Sequence, residues 1–371
     1  MKKSLLALAV LGAISTAASA QSNVTVYGLI DLSVNYTTNQ DAKGGKVWSL
    51  GDSNANGDGG QGALSGSRLG FKGEEDLGGG NKALFKLEAG ILANSGVSDQ
   101  QGQLFGRQSF VGLSNKDLGQ VTLGRQYGLI TDTAFDFDPL GVGNYFANEW
   151  ELFLFGVRFD NSVVYHNAFG PVQLNVMHAF GGVSGSTTDG STNSFNVKYN
   201  QGPLGLAGGY QQMSDATSHK STTGTVDITY NFGAATVYGN YYNVKTDGGF
   251  AKGPGGSSQP LANTSNFINN AANATSRTDS LWVIGTSYNF TPNDTLTVGY
   301  MDDQITQDVV GDGSIKSLYA IVEHHLSKRT EVYVTADQAK VSGQADNSFF
   351  TGVGAGQTSS TAVAAGLRVI F

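Results

Sequence analysis

Cysteine is absent from the 371-residue chain, and proline occurs only 6 times. Without thiols there is no disulfide framework, thiolate zinc site, iron–sulfur cluster or cysteine nucleophile. Charge is scarce too: 14% of residues are Asp, Glu, Lys or Arg, against about 25% in an average soluble domain. After the N-terminal segment no apolar run approaches the roughly 18 residues of a membrane helix; the nearest, 151–157, is far too short. With a mean hydropathy of −0.16, these shortages exclude both a helical membrane protein and a charge-rich disordered chain. A net charge of −8 argues against a nucleic-acid binder, which needs a basic footprint. What is plentiful is glycine, 52 residues, with Asn, Gln, Ser, Thr and Tyr supplying polarity suited to a sheet that faces water on one side.

Residues 1–20 have the three parts of a secretory signal: Lys2-Lys3, an apolar stretch from Leu5 to Ile14, and Ala18-Ser19-Ala20. Cleavage after Ala20 would take the charge from −8 to −10 and leave 21–371 as the folded domain. That domain alternates. Val24, Val26, Gly28, Ile30, Leu32, Val34 and Tyr36 share one parity, with Thr25, Tyr27, Leu29, Asp31, Ser33 and Asn35 on the other. Similar stretches include 172–177, 194–200 and 225–232. A period of two is the mark of a strand with one apolar face.

The breaks between strands come in two sizes. Seven are tight turns at 76–81, 115–119, 169–171, 201–205, 232–234, 291–294 and 327–330. Between them lie eight longer polar or Gly-rich segments at 38–63, 91–104, 129–157, 181–193, 214–223, 245–278, 304–314 and 341–360. Fifteen connections imply about sixteen antiparallel strands, and short turns on one side with long loops on the other describe a transmembrane β-barrel. In lipid an unpaired backbone group costs several kcal/mol, so a spanning sheet must close. At that size the lumen stays aqueous, and the polar parity is expected inside. A soluble β-sandwich is the competing reading, and it leaves the asymmetry of turn lengths as coincidence. Phe169, Phe232, Tyr288 and Phe290 beside short turns suit an aromatic girdle, and the outward alternation of Val363, Ala365, Leu367 and Val369 ends on Phe371.

Several segments together resemble the general trimeric porins of Gram-negative bacteria, in their neisserial and β-proteobacterial branch. They are Val24-Thr25-Val26-Tyr27-Gly28, the stretch from Gly66-Ser67-Arg68-Leu69-Gly70 to Gly78-Gly79-Gly80, Arg107-Gln108-Ser109-Phe110-Val111-Gly112-Leu113, Gly124-Arg125-Gln126, Asn161-Ser162-Val163-Val164-Tyr165 and Phe371. The resemblance implies an all-β, single-domain barrel of sixteen strands in the outer membrane and passive diffusion of ions and small hydrophilic solutes. It implies no enzyme activity and no cofactor. The implied partners are two further copies of the chain, outer-membrane lipids and lipopolysaccharide, and the barrel-assembly machinery, for which Phe371 would be the signal. The third long loop would fold into the lumen and narrow it.

Charges on the polar parity then become candidates for the constriction. Arg68, Lys72, Lys86, Arg107, Arg125 and Arg158 would form a basic wall; Asp132, Asp136, Asp138, Glu149 and Glu151 of the third loop would oppose it. Facing rows of this kind give a transverse field in the related porins. Loop acids are equally compatible with plain solvation or with divalent ions held against lipopolysaccharide. Gly28, Gly112 and Gly124 are expected on the outer face, where small residues would admit a neighbouring subunit.

Other motifs lack the context their chemistry needs. Gly57, Gly59 and Gly62 match the dinucleotide spacing with neither the strand before nor the helix after. Asp52, Asn54, Asn56 and Gly57 begin a calcium loop whose twelfth position is Ala63 instead of Glu. The five histidines show no ligand spacing, and His324 and His325 should point to opposite faces. A barrel enzyme would need a constellation that no Gly-x-Ser-x-Gly elbow announces. A substrate-specific channel would use lumenal aromatics such as Tyr27, Tyr238, Tyr242, Tyr319 and Tyr333, and an adhesin would use loops such as 245–278.

Overall fold

The structure is a computed structural model that describes residues 23–52, 63–100, 102–143, 150–251, 274–307, 311–343 and 353–371. The expected signal at 1–20, the acid Glu149 and the motif positions Asn54, Asn56, Gly57, Gly59 and Gly62 lie outside the described residues.

Strands run in chain order as β1 (Asn23–Thr37), β2 (Val47–Gly51), β3 (Arg68–Gly78), β4 (Asn81–Leu92), β5 (Val97–Ser98) and β6 (Gln108–Asn115). Next come β7 (Gly119–Tyr127), helices α1 (Leu129–Phe137) and α2 (Trp150–Phe155), then β8 (Arg158–Phe169), β9 (Val172–Ala179), β10 (Thr192–Gln201) and β11 (Leu204–Ser214). The chain continues through β12 (Lys220–Asn231), β13 (Ala235–Thr246), β14 (Arg277–Asn289), β15 (Asp294–Gln307), β16 (Gly313–His325), β17 (Thr330–Gly343) and β18 (Ser359–Ile370). Strands β2 and β5 are short additions within the first two long loops; the other sixteen form one closed antiparallel barrel. Closure comes from β1, which pairs with β3 along one edge and with β18 along the other. Beyond the last regular pair, Gly28 and Phe371 exchange two backbone hydrogen bonds of 3.0 Å, and the Phe371 ring lies over Gly28 where a Cβ would stand.

All seven short turns and all eight long connections fall where the alternation places them. Outward side chains include Val24, Val26, Val34, Val226, Trp282, Ile284, Leu318, Val334 and Leu367, all exposed, as a lipid-facing wall requires. Phe169, Phe232, Tyr288 and Phe290 project from the same wall beside short turns. On the lumenal face three tyrosines sit directly across the ladder from glycines: Tyr27 from Gly70, Tyr319 from Gly299 and Tyr333 from Gly366. In each pair a Cβ on the glycine would fall within 2.3 Å of the ring, so the absent side chain lets the ring lie flat against the wall.

Two expectations are corrected. Gly112 pairs with Thr122, whose side chain faces inward, so Gly112 belongs to the lumenal parity. Gly124 sits at a register shift with a φ of +138°, a bulge that glycine tolerates; only Gly28 lies on the outer face. Nor is the inner wall polar all round. Tyr242, Val244, Leu281, Val283, Met301, Ile305, Ile315, Ala339 and Val341, near the long-loop ends of β13–β17, are buried with Ile130, Trp150, Leu154 and Phe155 of the third loop. The loop therefore rests on a dry apolar floor.

Candidate functional site

The third loop leaves β7 at Gly128 and turns at once into α1. Leu129, Ile130, Ala134 and Phe137 point into packed contacts, while Asp132 and Asp136, one turn apart, share the opposite face. Lys198 of β10 fastens that face: its Nζ donates to Asp132 Oδ2 at 2.6 Å, Asp136 Oδ2 at 2.7 Å and the Asp132 carbonyl at 2.9 Å. Beside it Asn196 Nδ2 donates to the Leu129 carbonyl and Thr133 Oγ1. Farther along, Gln211 Nε2 donates to the Phe155 carbonyl, Trp150 Nε1 to Asp303 Oδ2, and the Phe155 ring stacks on Tyr242 at 5.2 Å. The loop is thus pinned across the lumen to β10, β11, β13 and β15.

After α1, Asp138-Pro139-Leu140-Gly141 carries typical turn residues. The Asp138 carboxylate accepts the backbone N–H of Leu140 and of Val142, each at 2.8 Å. That holds Gly141 at φ +58° and Val142 at +52°, the latter a costly conformation for a β-branched residue.

Opposite this turn lies a cavity of about 350 Å³ lined by Arg68, Lys86, Glu88, Arg107, Gln108, Tyr127 and Arg158 from the wall, and by Phe135, Leu140, Gly141 and Val142 from the loop. Arg107 Nε meets Glu88 Oε1 at 2.9 Å, and its Nη2 donates to the Tyr127 oxygen at 2.9 Å. Arg158 Nη2 reaches the same oxygen at 3.3 Å with its guanidinium 4.8 Å from the ring centre. Glu88 also takes a hydrogen bond from Tyr27 and lies 3.6 Å from Lys86. Four cations and one carboxylate leave this lining at +3.

The candidates therefore divide. Arg68, Lys86, Arg107 and Arg158 are brought together. Lys72 lies lower on β3, 5.4 Å from the Tyr27 ring centre. Arg125 stands beside the cavity, bonded to Asp160 at 2.7 Å and to the Gly106 carbonyl at 2.6 Å, because the bulge at Gly124 re-aims it. The expected row of loop acids facing the arginines is not formed. Asp132 and Asp136 are half-exposed on the other face of α1. Asp138 is 3% exposed and spent on its turn. Glu151 is wholly buried in the apolar dock, and among the described residues neither carboxyl oxygen finds a hydrogen-bond partner. Burial pushes its pKa well above the ordinary carboxylate range, helped by the carboxyls of Asp138 and Asp227. The loop surface that does face the arginines is apolar. Glu88, Tyr127 and Gln108 are site residues that the charge pattern alone did not select.

The remaining motifs serve the scaffold. Asp52 accepts backbone N–H groups of Ser67 and Ala93 and so ties the first loop to the second. His324 contacts Asp294 and His325 contacts Glu331, on opposite faces of β16.

A closed sixteen-stranded barrel with an apolar outer wall, a polar charged lumen and a loop pinned inside it is a passive diffusion channel of the outer membrane. The chain belongs to the Gram-negative porins, whose family profile matches residues 7–344. An outer membrane porin protein of Bordetella pertussis is 31% identical over 299 residues, 71% of this chain and 74% of that one. Outer membrane porin protein 32 of Delftia acidovorans is 37% identical over 257 residues, 64% of this chain and 68% of its own. Among solved structures, the anion-selective porin from Comamonas acidovorans superposes with a TM-score of 0.73 at 26% identity, covering 95% of this chain and 100% of that one.

Proposed function

We propose that this porin prefers small anions and that the arginine-lined cavity is its constriction. The observation that carries the reading is the one-sided charge: +3 on the wall, faced by Phe135, Leu140, Gly141 and Val142 rather than by acids. A narrow, low-dielectric mouth focuses such a field, concentrating anions and holding cations off. The charge is held in place, since Tyr127 and Glu88 orient Arg107 and Tyr127 orients Arg158. Selection of anions by the porin from Comamonas acidovorans agrees with this reading. The acidic net charge of the whole chain does not oppose it, because Asp132 and Asp136 face away, Asp138 is internal and Glu151 is buried. The test is the zero-current potential of purified protein in planar bilayers across a KCl gradient: chloride should carry more current than potassium, and a cation-preferring channel would overturn the assignment.

The reading includes a homotrimer, insertion through the barrel-assembly machinery with Phe371 as the signal, and contact with lipopolysaccharide; a channel without enzymatic activity completes it. Family membership supports the assembly, and the outward Phe371 ring supports the insertion signal. Detergent-extracted, unheated protein should run at three times the monomer mass.

A further inference from the structure

The strand register sets Thr25, Lys72, Lys86 and Phe110 side by side in one row across β1, β3, β4 and β6. Residues paired across a ladder share a face, and Lys86 lines the lumen, so the whole row is lumenal. One row nearer the short turns, Leu84 of β4 stands opposite Gly112 of β6, which has no side chain to fill the space. Phe110 and Leu84 are thus apolar side chains on the water-facing parity, and the recess of about 370 Å³ that they border contains no residue of the third loop. Phe110 has no scaffold duty of the kind the three lumenal tyrosines perform. It pairs with Gly124, yet the nearest atoms to a Cβ placed there are the Ser109 carbonyl oxygen and the Cα and Cβ of Phe110, not its ring. The ring is half-buried and makes no aromatic contact among the described residues.

The same recess is positively charged on one side. Lys72 and Lys86 bring their Nζ atoms to 5.4 and 5.6 Å from the Tyr27 ring centre. Lys72 is exposed and has no carboxylate partner among the described residues; Lys86 lies 3.6 Å from Glu88. Glu74, the one carboxylate among the lining residues, is taken by Lys82 at 2.8 Å. We propose that this recess, on the short-turn side of the constriction, binds small aromatic carboxylates. The solute ring lies against Phe110 and Leu84, and its carboxylate meets the ammonium groups of Lys72 and Lys86. Space is ample, since about 150 Å³ holds a benzene ring. The ring contact is what separates this ligand class from the simple anions that charge alone would favour.

The test measures reduction of single-channel current by benzoate and by acetate, full-length protein in planar bilayers at pH 7 and 0.1 M KCl. Both probes carry one negative charge, so the arginines act on both and the benzoate-to-acetate ratio reads the ring contact whatever the selectivity of the constriction. Benzoate should half-block at a concentration about tenfold below acetate. Phe110→Ser should raise the benzoate value about fivefold, the worth of one aromatic pair, and leave acetate unchanged. Lys72→Gln should raise both values about threefold, an effect that fades at 1 M salt. Only conducting channels are read, so a variant chain that fails to fold contributes nothing, and Lys72 makes no ion pair among the described residues for its replacement to break. Equal half-blocking concentrations for the two probes, or an unchanged benzoate value in conducting channels of either variant, would overturn the site.

Discussion

Replacing Arg158 by Gln should lower the chloride-to-potassium permeability ratio more cleanly than replacing Arg107. Arg107 is held by Glu88 at 2.9 Å, so its loss also releases a carboxylate. Arg158 leans on the Tyr127 oxygen and ring and has no carboxylate partner among the described residues. A unit charge about 5 Å from an ion in an aqueous pore is worth about 0.8 kcal/mol. At 0.1 M salt screening leaves about 0.5 kcal/mol of it. The same charge attracts chloride and repels potassium, so the ratio changes by about 1 kcal/mol, or about fivefold. At 1 M, where the Debye length is about 3 Å, the same sum gives less than about twofold. Zero-current potentials of wild type and Arg158→Gln, taken at matched gradients around both salt levels, check the size and its salt dependence. Arg125→Gln is the internal comparison. Its partner Asp160 lies 2.7 Å away, beside the cavity rather than in it, and the ratio should move by less than half as much. An unchanged ratio for Arg158→Gln at low salt, with conductance intact, would refute the argument.

Other expectations follow from the loop and the seam. Lys198→Met should leave Asp132 and Asp136 repelling each other and loosen α1 by about 1–3 kcal/mol, seen as added open-channel noise; a quiet channel would show that the apolar dock suffices. Glu151 has its folded pKa raised, so the docked loop is most stable below the unfolded carboxylate value of about 4.3 and loses stability as pH rises from there towards the raised pKa. Glu151→Gln should abolish that dependence, read as loop-closure noise against pH, and an unaltered pH profile would assign it to other groups. Gly28→Val would place a side chain within 2.6 Å of both the Arg68 carbonyl and the Phe371 ring. It should slow assembly, measured as the fraction of heat-modifiable folded barrel, and a normal yield would show the seam to be tolerant.

The barrel was legible because its signals are local. Alternation in 24–36 and turn residues at 115–119 or 201–205 act within a few positions, and the lipid fixes the rest by forbidding an edge. The site was legible in residue type but not in arrangement. Which way a loop acid faces depends on what the loop lies against, and the patch under it is spread over five strands far along the chain. Local signs did exist. Asp138-Pro139-Leu140-Gly141 reads as a turn, which marks Asp138 as a turn carboxylate, and Leu281-Trp282-Val283-Ile284 is apolar on both parities, which a strand between lipid and water has no reason to be. Gly124 likewise hinted at the bulge that moved Arg125.

That doubly apolar stretch creates a problem of sidedness. During insertion β14 offers Trp282 and Ile284 on one face and Leu281 and Val283 on the other, so hydrophobicity by itself does not tell the bilayer which face to take. The third loop resolves the ambiguity by claiming one face for the interior. It precedes these strands in the chain and must wait for them, with Trp150, Leu154 and Phe155 uncovered meanwhile. The loop that narrows the finished pore is thus also the element that tells these strands of the wall which way is in.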